Sequence, residues 1–384
     1  MSARSEGSSP LGESDRPDSP PKLNRRTLLA GAASVFGGTL LHKAQNILPR
    51  AKVEVANPPA PYFPGKLPGH VPTEIGERSP FEHPRRRVNR AAPSGESETP
   101  LEDLYGTITP ADLHYERHHG GVPIIDPAQY TLLIHGLVDR PLKFSLNDLK
   151  RFPAVTRIAF IECSGNGYRA FQTPEMKREA TPSFINGLLS TSEWTGVPLA
   201  TLFREVGVRP EAKWFLAEGW DAAHMTRSIP VDKALDDAMI AYAQNGEAIR
   251  PEQGYPARLL LPGWEGNSQV KWIKRLELGK APFMTREETS KYTDPLANGT
   301  ARMFSFVMDA KSLITSPAYP KTVSRGWSVI SGLAWSGRGK IERVEVSTDG
   351  GRSWNGAELQ TPILPKCTTR FRHVWNYDGG QALL

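Results

Sequence analysis

The chain has 384 residues, enough for two or more domains with cores of their own, and its 39% hydrophobic and 23% charged content excludes a disordered or membrane-embedded protein. A net charge of +6 comes without helix-turn-helix, zinc-finger or aromatic-basic strand signatures, which sets nucleic acid aside and leaves small anions and phosphate-bearing cofactors. Two cysteines, Cys163 and Cys367, are too few for a disulfide framework, while 34 Pro and 34 Gly favour a β-rich architecture with many turns.

In chain order, residues 1–24 are Ser/Pro/charge-rich and read as disordered. Arg25-Arg26 precede Thr27-Leu28-Leu29 and a weakly apolar stretch over 30–41, the pattern of a twin-arginine export signal. The stretch is too short to span a bilayer, so the expectation is a periplasmic protein without a stable membrane anchor. A short buried helix with a basic flank is the bland alternative. Such export carries folded proteins, so a cofactor inserted before transport is expected. Residues 1–49 form this leader region, and 50–103 read as an extended arm or linker, with Arg85-Arg86-Arg87 as a solvated face.

From residue 104 the character changes. Residues 130–137 and 155–161 are strand-like, and Ser145-Leu146-Asn147-Asp148-Leu149 between them reads as a capped helical turn. Residues 198–206 carry apolar positions at helical spacing, bounded by Pro198 and Gly207, and 257–261 and 270–278 again read as strands. Irregular alternation of strands and short helices predicts an α+β domain over 104–293 rather than a doubly wound sheet. Over 294–384 short strands take over: 327–335 and 341–347 flank the loop 336–339, and Asp349-Gly350-Gly351 marks a hairpin before Trp354. This is a small β-sandwich pattern that stops after four or five strands, so it reads as incomplete and the sequence as truncated.

The apolar run 158–161 delivers Cys163 into a turn of Ser164, Gly165, Asn166 and Gly167, where low side-chain bulk lets a large ligand approach both sulfur and backbone amides. Four readings are open for this thiol: an inert buried group, a nucleophile with His114, His118, His119 or His224 as base, a ligand for a soft or high-valent metal, or half of a disulfide with Cys367. Cys367 is otherwise a structural thiol. The pair His118-His119 lacks zinc spacing and reads as a polar loop, or, with Arg117, as donors to an anion. Arg258 and Lys271 sit at strand ends in Gly254-Tyr255-Pro256-Ala257-Arg258 and Gln269-Val270-Lys271-Trp272, suited to a phosphate; ordinary surface charge is the alternative.

Together these pieces resemble the sulfite oxidase family of molybdenum enzymes. The resemblance rests on Tyr115-x-Arg117-x-His119 with Pro123, Glu162-Cys163-Ser164-Gly165-Asn166, Trp194-Thr195-Gly196-Val197-Pro198-Leu199, Glu218-Gly219-Trp220-Asp221, Ser228-Ile229-Pro230, Tyr242 with Asn245-Gly246, the Arg258 and Lys271 pieces, and Ala334-Trp335-Ser336-Gly337, in family order. It implies a mixed α/β molybdopterin-binding domain followed by an Ig-like β-sandwich dimerisation domain. It also implies a pyranopterin dithiolene cofactor with molybdenum held by Cys163. Arg117 and His119 match cofactor and substrate-side residues, Asp221, Arg258 and Lys271 match pterin and phosphate contacts, and Tyr292 matches the active-site tyrosine. Tyr115, Gln253, Gln269 and Val270 fall in the same cofactor-binding pieces.

Three departures accompany the resemblance. Gln253 stands where the family has a histidine, Gly167-Tyr168-Arg169 stand where animal sulfite oxidases have consecutive arginines, and a further C-terminal substrate arginine has no counterpart before the sequence ends. The absence of an N-terminal haem-binding domain, the export signal and the Cys-Ser-Gly-Asn turn point within the family to the molybdenum subunits of bacterial sulfane dehydrogenases. That implies oxidation of protein-bound sulfane sulfur, a c-type cytochrome subunit as electron acceptor, a sulfur-carrier protein as substrate, and a homodimer or heterotetramer. No C-x-x-C-H occurs, so a haem would belong to a partner. The alternatives are a sulfite dehydrogenase acting on free sulfite, an oxidised-methionine reductase, and a secreted binding module with an Ig-like tail.

Overall fold

A computed structural model describes residues 71–89, 94–171 and 180–384. The Arg25-Arg26 segment, the leader region 1–49 and much of the arm 50–103 lie outside the described residues. The chain divides into two units, Met1–Glu77 and Arg78–Leu384. In the first, the Thr73 hydroxyl donates to the Ile75 carbonyl at 2.7 Å. Everything below concerns the second.

Strands β1 (Arg87–Asn89) and β2 (Gly95–Glu98) pair antiparallel, and β3 (Glu116–His118) adds to β2, so part of the stretch expected to be a linker is sheet. Next come β4 (Thr131–Gly136) and β5 (Leu142–Ser145), then helix α1 (Leu146–Arg151). The Ser145 hydroxyl accepts from the Asp148 amide at 3.1 Å and the Asp148 carboxylate accepts from the Ser145 amide, a reciprocal capping box.

Strand β6 (Val155–Glu162) is followed by helix α2 (Pro182–Asn186), β7 (Leu189–Pro198) and helix α3 (Leu199–Val206). In α3, Leu199, Leu202, Phe203 and Val206 are all buried at helical spacing, worth about 1.5–3 kcal/mol each, and Gly207 at φ +69° ends the helix. Then follow β8 (Trp214–Gly219), β9 (Thr226–Pro230), α4 (Val231–Asp236), β10 (Met239–Gln244), β11 (Glu247–Ala248), β12 (Arg258–Leu260), β13 (Ile273–Gly279) and α5 (Arg286–Ser290).

These strands build two five-stranded sheets. One is antiparallel, β11-β10-β7-β6 with β12 also on β10; the other runs β5-β4-β13-β8-β9, with β4 and β13 parallel. The main core lies among them and the short helices, with Leu132, Ile134, Phe203, Phe215, Ile240 and Leu276 fully buried. The strand expected from residue 270 begins only at Ile273, because Trp272 holds φ +52°, outside the extended region.

The C-terminal layer holds β14 (Asp294–Pro295), β15 (Ala301–Arg302), β16 (Lys311–Ser316), β17 (Gly326–Trp335), β18 (Glu345–Val346), β19 (Asn355–Gly356), β20 (Glu358–Leu359) and β21 (Thr369–Tyr377). A four-stranded sheet β16-β17-β21-β20 and the β18-β19 hairpin enclose Ile330, Ala334, Val344, Val346 and Phe371, a small sandwich core. The expected strand over 341–347 contracts to Glu345–Val346, while Ile341 stays buried outside it. The fold is thus mixed and mostly strand.

Strand β6 reads as one apolar run because both its faces are covered. Ala159 and Ile161 pack with Trp194, Met239 and Leu260, while Phe160 packs with Leu333 and Trp335 of the C-terminal layer. Glu162 continues the second face: its carboxylate accepts from Asn166 Nδ2 (2.9 Å), Lys311 Nζ (2.9 Å) and Trp335 Nε1 (2.7 Å). A second contact joins the layers at Gly263, at φ +78°, where a Cβ would lie 2.4 Å from the Gly337 carbonyl oxygen.

Candidate active site

Alternation along β6 aims Cys163 away from the Glu162 face and into a cavity. Its turn is held by backbone bonds: the Cys163 amide donates to the Leu188 carbonyl, and the Asn166 amide donates back to the Cys163 carbonyl at 2.9 Å. The Asn166 side chain accepts from the Leu188 amide at 3.1 Å and donates to Glu162, pinning the turn from both sides. Both cysteines are free, so the Cys163–Cys367 disulfide reading falls; Cys367 is a buried thiol that burial pushes up to about 12.

The cavity measures about 680 Å³. Tyr115, Arg117, His119, Cys163, Asp221 and Gln253 line it, and so do Arg258, Gln269, Val270, Lys271 and Tyr292. Residues from β3, the β6 turn, the β8–β9 turn and the segment between β12 and β13 therefore converge on one space. A second, more open cavity of about 1070 Å³ shares Arg117, His119, Cys163 and Tyr292 with it, so the sulfur sits where the two meet.

The inner cavity is cationic: Arg117, Arg258 and Lys271 line it against the carboxylate of Asp221. Arg258 is 2% exposed, and its guanidinium donates only to carbonyls, of Gln253 (2.9 Å) and Gln269 (3.1 Å), leaving Nε without a partner among the described residues. Burial lowers it to about 10. Lys271 Nζ likewise donates to the carbonyls of Arg117 (3.0 Å) and Glu252 (2.8 Å); burial first, and Arg258 second, lower it to about 7. Two cations on one cavity with no carboxylate in ion-pair contact call for an anionic ligand. His114 adds an acceptor: its Nδ1 donates to the Tyr115 carbonyl at 2.9 Å, and Nε2 is buried without a partner. Burial holds His114 neutral, lowered to about 3.

Other members hold the frame. Gln253 Nε2 donates to the Tyr115 carbonyl at 2.7 Å, so the residue standing where the family has histidine ties β3 to the wall. Gln269 spends its side chain on its own loop, accepting from the Leu261 amide and donating to the Trp264 carbonyl at 2.8 Å, and so meets the cavity as scaffold. The Asp221 carboxylate, 2% exposed, accepts from the Met225 amide at 3.1 Å. Gly266 is a cavity residue by necessity, because a Cβ there would lie 2.7 Å from the Glu162 carbonyl oxygen and 2.9 Å from the Tyr115 hydroxyl.

Where the cavities join, His119 Nε2 and the Tyr292 hydroxyl lie 3.3 Å apart, and the Arg227 guanidinium sits 4.8 Å from the Tyr292 ring centre. Burial and then Arg117 lower His119 to about 4, so it is neutral near pH 7, while burial raises Tyr292 to about 12. Burial also pushes the Cys163 thiol up, against the Gly165 amide and Arg117. Of the four histidines weighed as bases for a nucleophile, three line the cavity, but none is hydrogen-bonded to Cys163; His224 turns instead to Glu218 and Lys274. Arg169 does not reach the sulfur: it is paired with Glu96 and Glu98, and Tyr168 lines the outer cavity.

The donor set fits a large anionic cofactor. Orphaned buried nitrogens on Arg258 and His114, on a cavity that Lys271 and Arg117 also line, await an acceptor and a donor of a ligand. Among the described residues no group of three or more His, Cys, Asp and Glu could hold a metal ion, and the soft donor lining the cavity is the Cys163 sulfur.

Two family models match: an oxidoreductase molybdopterin binding domain over residues 119–287 and a Mo-co oxidoreductase dimerisation domain over 302–377. Among solved structures, the sulfane dehydrogenase SoxCD from Paracoccus pantotrophus is similar, with 43% identity over 81% of this chain and 83% of that one and a TM-score of 0.74. NADH nitrate reductases are also similar: that of Ulva prolifera at 31% over 67% of this chain and 33% of its own length, and that of Solanum lycopersicum at 32% over 73% and 34%. The chain spans about a third of the length of these curated relatives.

Proposed function

The chain belongs to the sulfite oxidase family of molybdopterin oxidoreductases, and on that premise we propose that it oxidises protein-bound sulfane sulfur in the periplasm and passes the electrons to a c-type cytochrome subunit. The observation that carries the reading is Cys163 at the junction of a cationic inner cavity and a wide outer one. Bound molybdopterin supplies two-electron oxygen-atom transfer at the metal. Arg258 and Lys271 would hold its phosphate, with His114, Asp221 and the Gln269–Lys271 backbone beside the pterin, and Cys163 would be the metal's protein ligand. Arg117 orients an anionic terminal sulfur where the cavities meet, and neutral His119 and Tyr292 order the hydroxyl side of that junction.

The outer cavity supports a carrier-borne substrate over free sulfite. Glu96, Glu265 and Asp294 face it against Arg117 and Lys291, and Tyr168 and the paired Arg169 add no free cation, so a small dianion gains little there. The SoxCD relative is itself named a sulfane dehydrogenase. In this reading the arginine pair at 25–26 directs export, a sulfur-carrier protein presents the substrate, and a homodimer or heterotetramer forms through the C-terminal layer.

The test is cytochrome c reduction by protein from molybdenum-replete cells, comparing sulfite with a carrier-bound persulfide. The persulfide is expected to turn over at least tenfold faster at equal concentration. Equal or faster turnover of sulfite would make the enzyme a sulfite dehydrogenase instead. Cys163→Ser is expected to abolish turnover, and a clean preparation without molybdenum would return the chain to a binding module.

A further inference from the structure

The loop between β12 and β13 carries a carboxylate, Glu265, whose part so far is only its charge on the outer cavity. Glu265 lines the outer cavity with Cys163, Arg117 and Tyr292. Its backbone is fixed, the amide donating to the Phe306 carbonyl at 2.8 Å. One carboxylate oxygen accepts from Asn267 Nδ2 at 2.7 Å, while Oε1 has no hydrogen bond and no ion pair among the described residues. Asn267, 9% exposed, lines the inner cavity, and its own Oδ1 is buried without a partner. Glu265 and Asn267 therefore bridge the two cavities beside the sulfur, with an open acceptor at each end.

We propose that Glu265 accepts the protons released when an oxygen atom from water is added to the substrate sulfur. This rests on the sulfur-oxidising reading above. In that reaction both O–H bonds of water break and one sulfur–oxygen bond forms. Sulfur loses two electrons, which leave singly to reduce a c-type cytochrome, and two protons must leave as well. Glu265 Oε1 takes a proton and releases it through the outer cavity, past Asp294 and Ser305, before the second follows. A base in this position has to be free of an ion pair and shielded from bulk water: Glu96 is paired with Arg169, and Asp294, though without an ion pair among the described residues, is exposed, whereas Glu265 is half-buried.

The groups acting on Glu265 come from several elements. Burial raises its proton affinity and Asp294 of β14 adds to the rise; Asn267, Arg227 of β9 and Lys311 of β16 oppose it. Across the cavity stand Glu96, Arg117 and Lys291, with neutral His119 and protonated Tyr292 between them. Arg227 is committed to Glu288 at 3.2 Å and Lys311 to Glu162 at 2.9 Å, so neither neutralises Glu265 directly.

The experiment is a pH profile of persulfide oxidation by the molybdenum-loaded wild type and by Glu265→Gln. The wild type is expected to lose kcat on the acid side as the base is protonated; Glu265→Gln should lack that limb, with kcat at neutral pH reduced by about 10²-fold and KM within about threefold. Infrared titration supplies a readout that needs no turnover: a protonated-carboxyl band that persists above the pH of ordinary glutamates and is missing from Glu265→Gln. If Glu265→Gln loads poorly, Glu265→Asp is expected to keep the acid limb at a shifted pH. An acid limb unchanged in Glu265→Gln, or in the aspartate variant an unshifted one, overturns the assignment. A wild type that oxidises no sulfur substrate sinks the underlying reading, and this proposal with it.

Discussion

Lys311→Met tests whether the C-terminal layer holds the cysteine turn in place. Glu162 is fully buried, and Lys311 is its ion-pair partner at 2.9 Å; the other two donors, Asn166 and Trp335, are neutral. Breaking a buried pair from one side costs roughly 3–5 kcal/mol, because a charge is left without its partner. The Lys311 side chain is 35% exposed, so water reaches the place it vacates, and about 2–3 kcal/mol is expected. That corresponds to a fall in melting temperature of roughly 5 °C. Glu162→Gln in the same chain removes the stranded charge while keeping an acceptor for Trp335, so the double variant should recover more than half of the loss. Calorimetry or urea titration of the four proteins completes the cycle. A loss under about 0.5 kcal/mol for Lys311→Met, adding simply to that of Glu162→Gln, is what an exposed pair would give and would refute the reasoning.

Three further outcomes are expected. Burial and Arg258 leave Lys271 at about 7, and a phosphate-bearing ligand restores its proton, so loading near pH 7 should take up protons; titration calorimetry in two buffers of different ionisation enthalpy reads this uptake, and Lys271→Met should abolish it. His114 and His119, at about 3 and about 4 folded against about 6.5 unfolded, make the unfolded chain bind more protons in between, so stability should fall as pH drops from 6.5 and stay level above it; urea midpoints at pH 4.5 and 7.5 check the slope, which His114→Phe should reduce. Gly266→Ala drives a methyl into the Glu162 carbonyl and the Tyr115 hydroxyl, costing about 1–3 kcal/mol and lowering molybdenum content in metal analysis.

The parts of the site legible in the sequence were those written as contiguous motifs. Cys163 after an apolar run, Arg258 after Gly254-Tyr255-Pro256 and Lys271 after Gln269-Val270 each declare a strand end, and the fold brings them to one cavity. What stayed hidden was long-range or loop-borne. Lys311 and Trp335 reach Glu162 across 149 and 173 positions, which no periodicity reports. His114 offers itself in sequence only as a base, since nothing in Leu113-His114-Tyr115 says that one ring nitrogen is spent on a neighbouring carbonyl. Glu265 and Asn267 lie in an aperiodic turn between β12 and β13, where sequence offers no face to assign. Gln269 lines the cavity, but that its side chain is bonded within its own loop is a contact no spacing in Gln269-Val270-Lys271 reports.

The approach of Gly263 to Gly337 has a consequence for engineering. With a Cβ barred on either side, the two backbones touch like meshed teeth, and Gly263 lies a few residues before the strand-end lysine and arginine-bonded carbonyl of the phosphate-suited wall. A bulkier residue at position 337, far from any reacting atom in sequence, would thus push on that wall directly. Attempts to graft the catalytic half onto another support would have to carry this glycine contact along, or rebuild it.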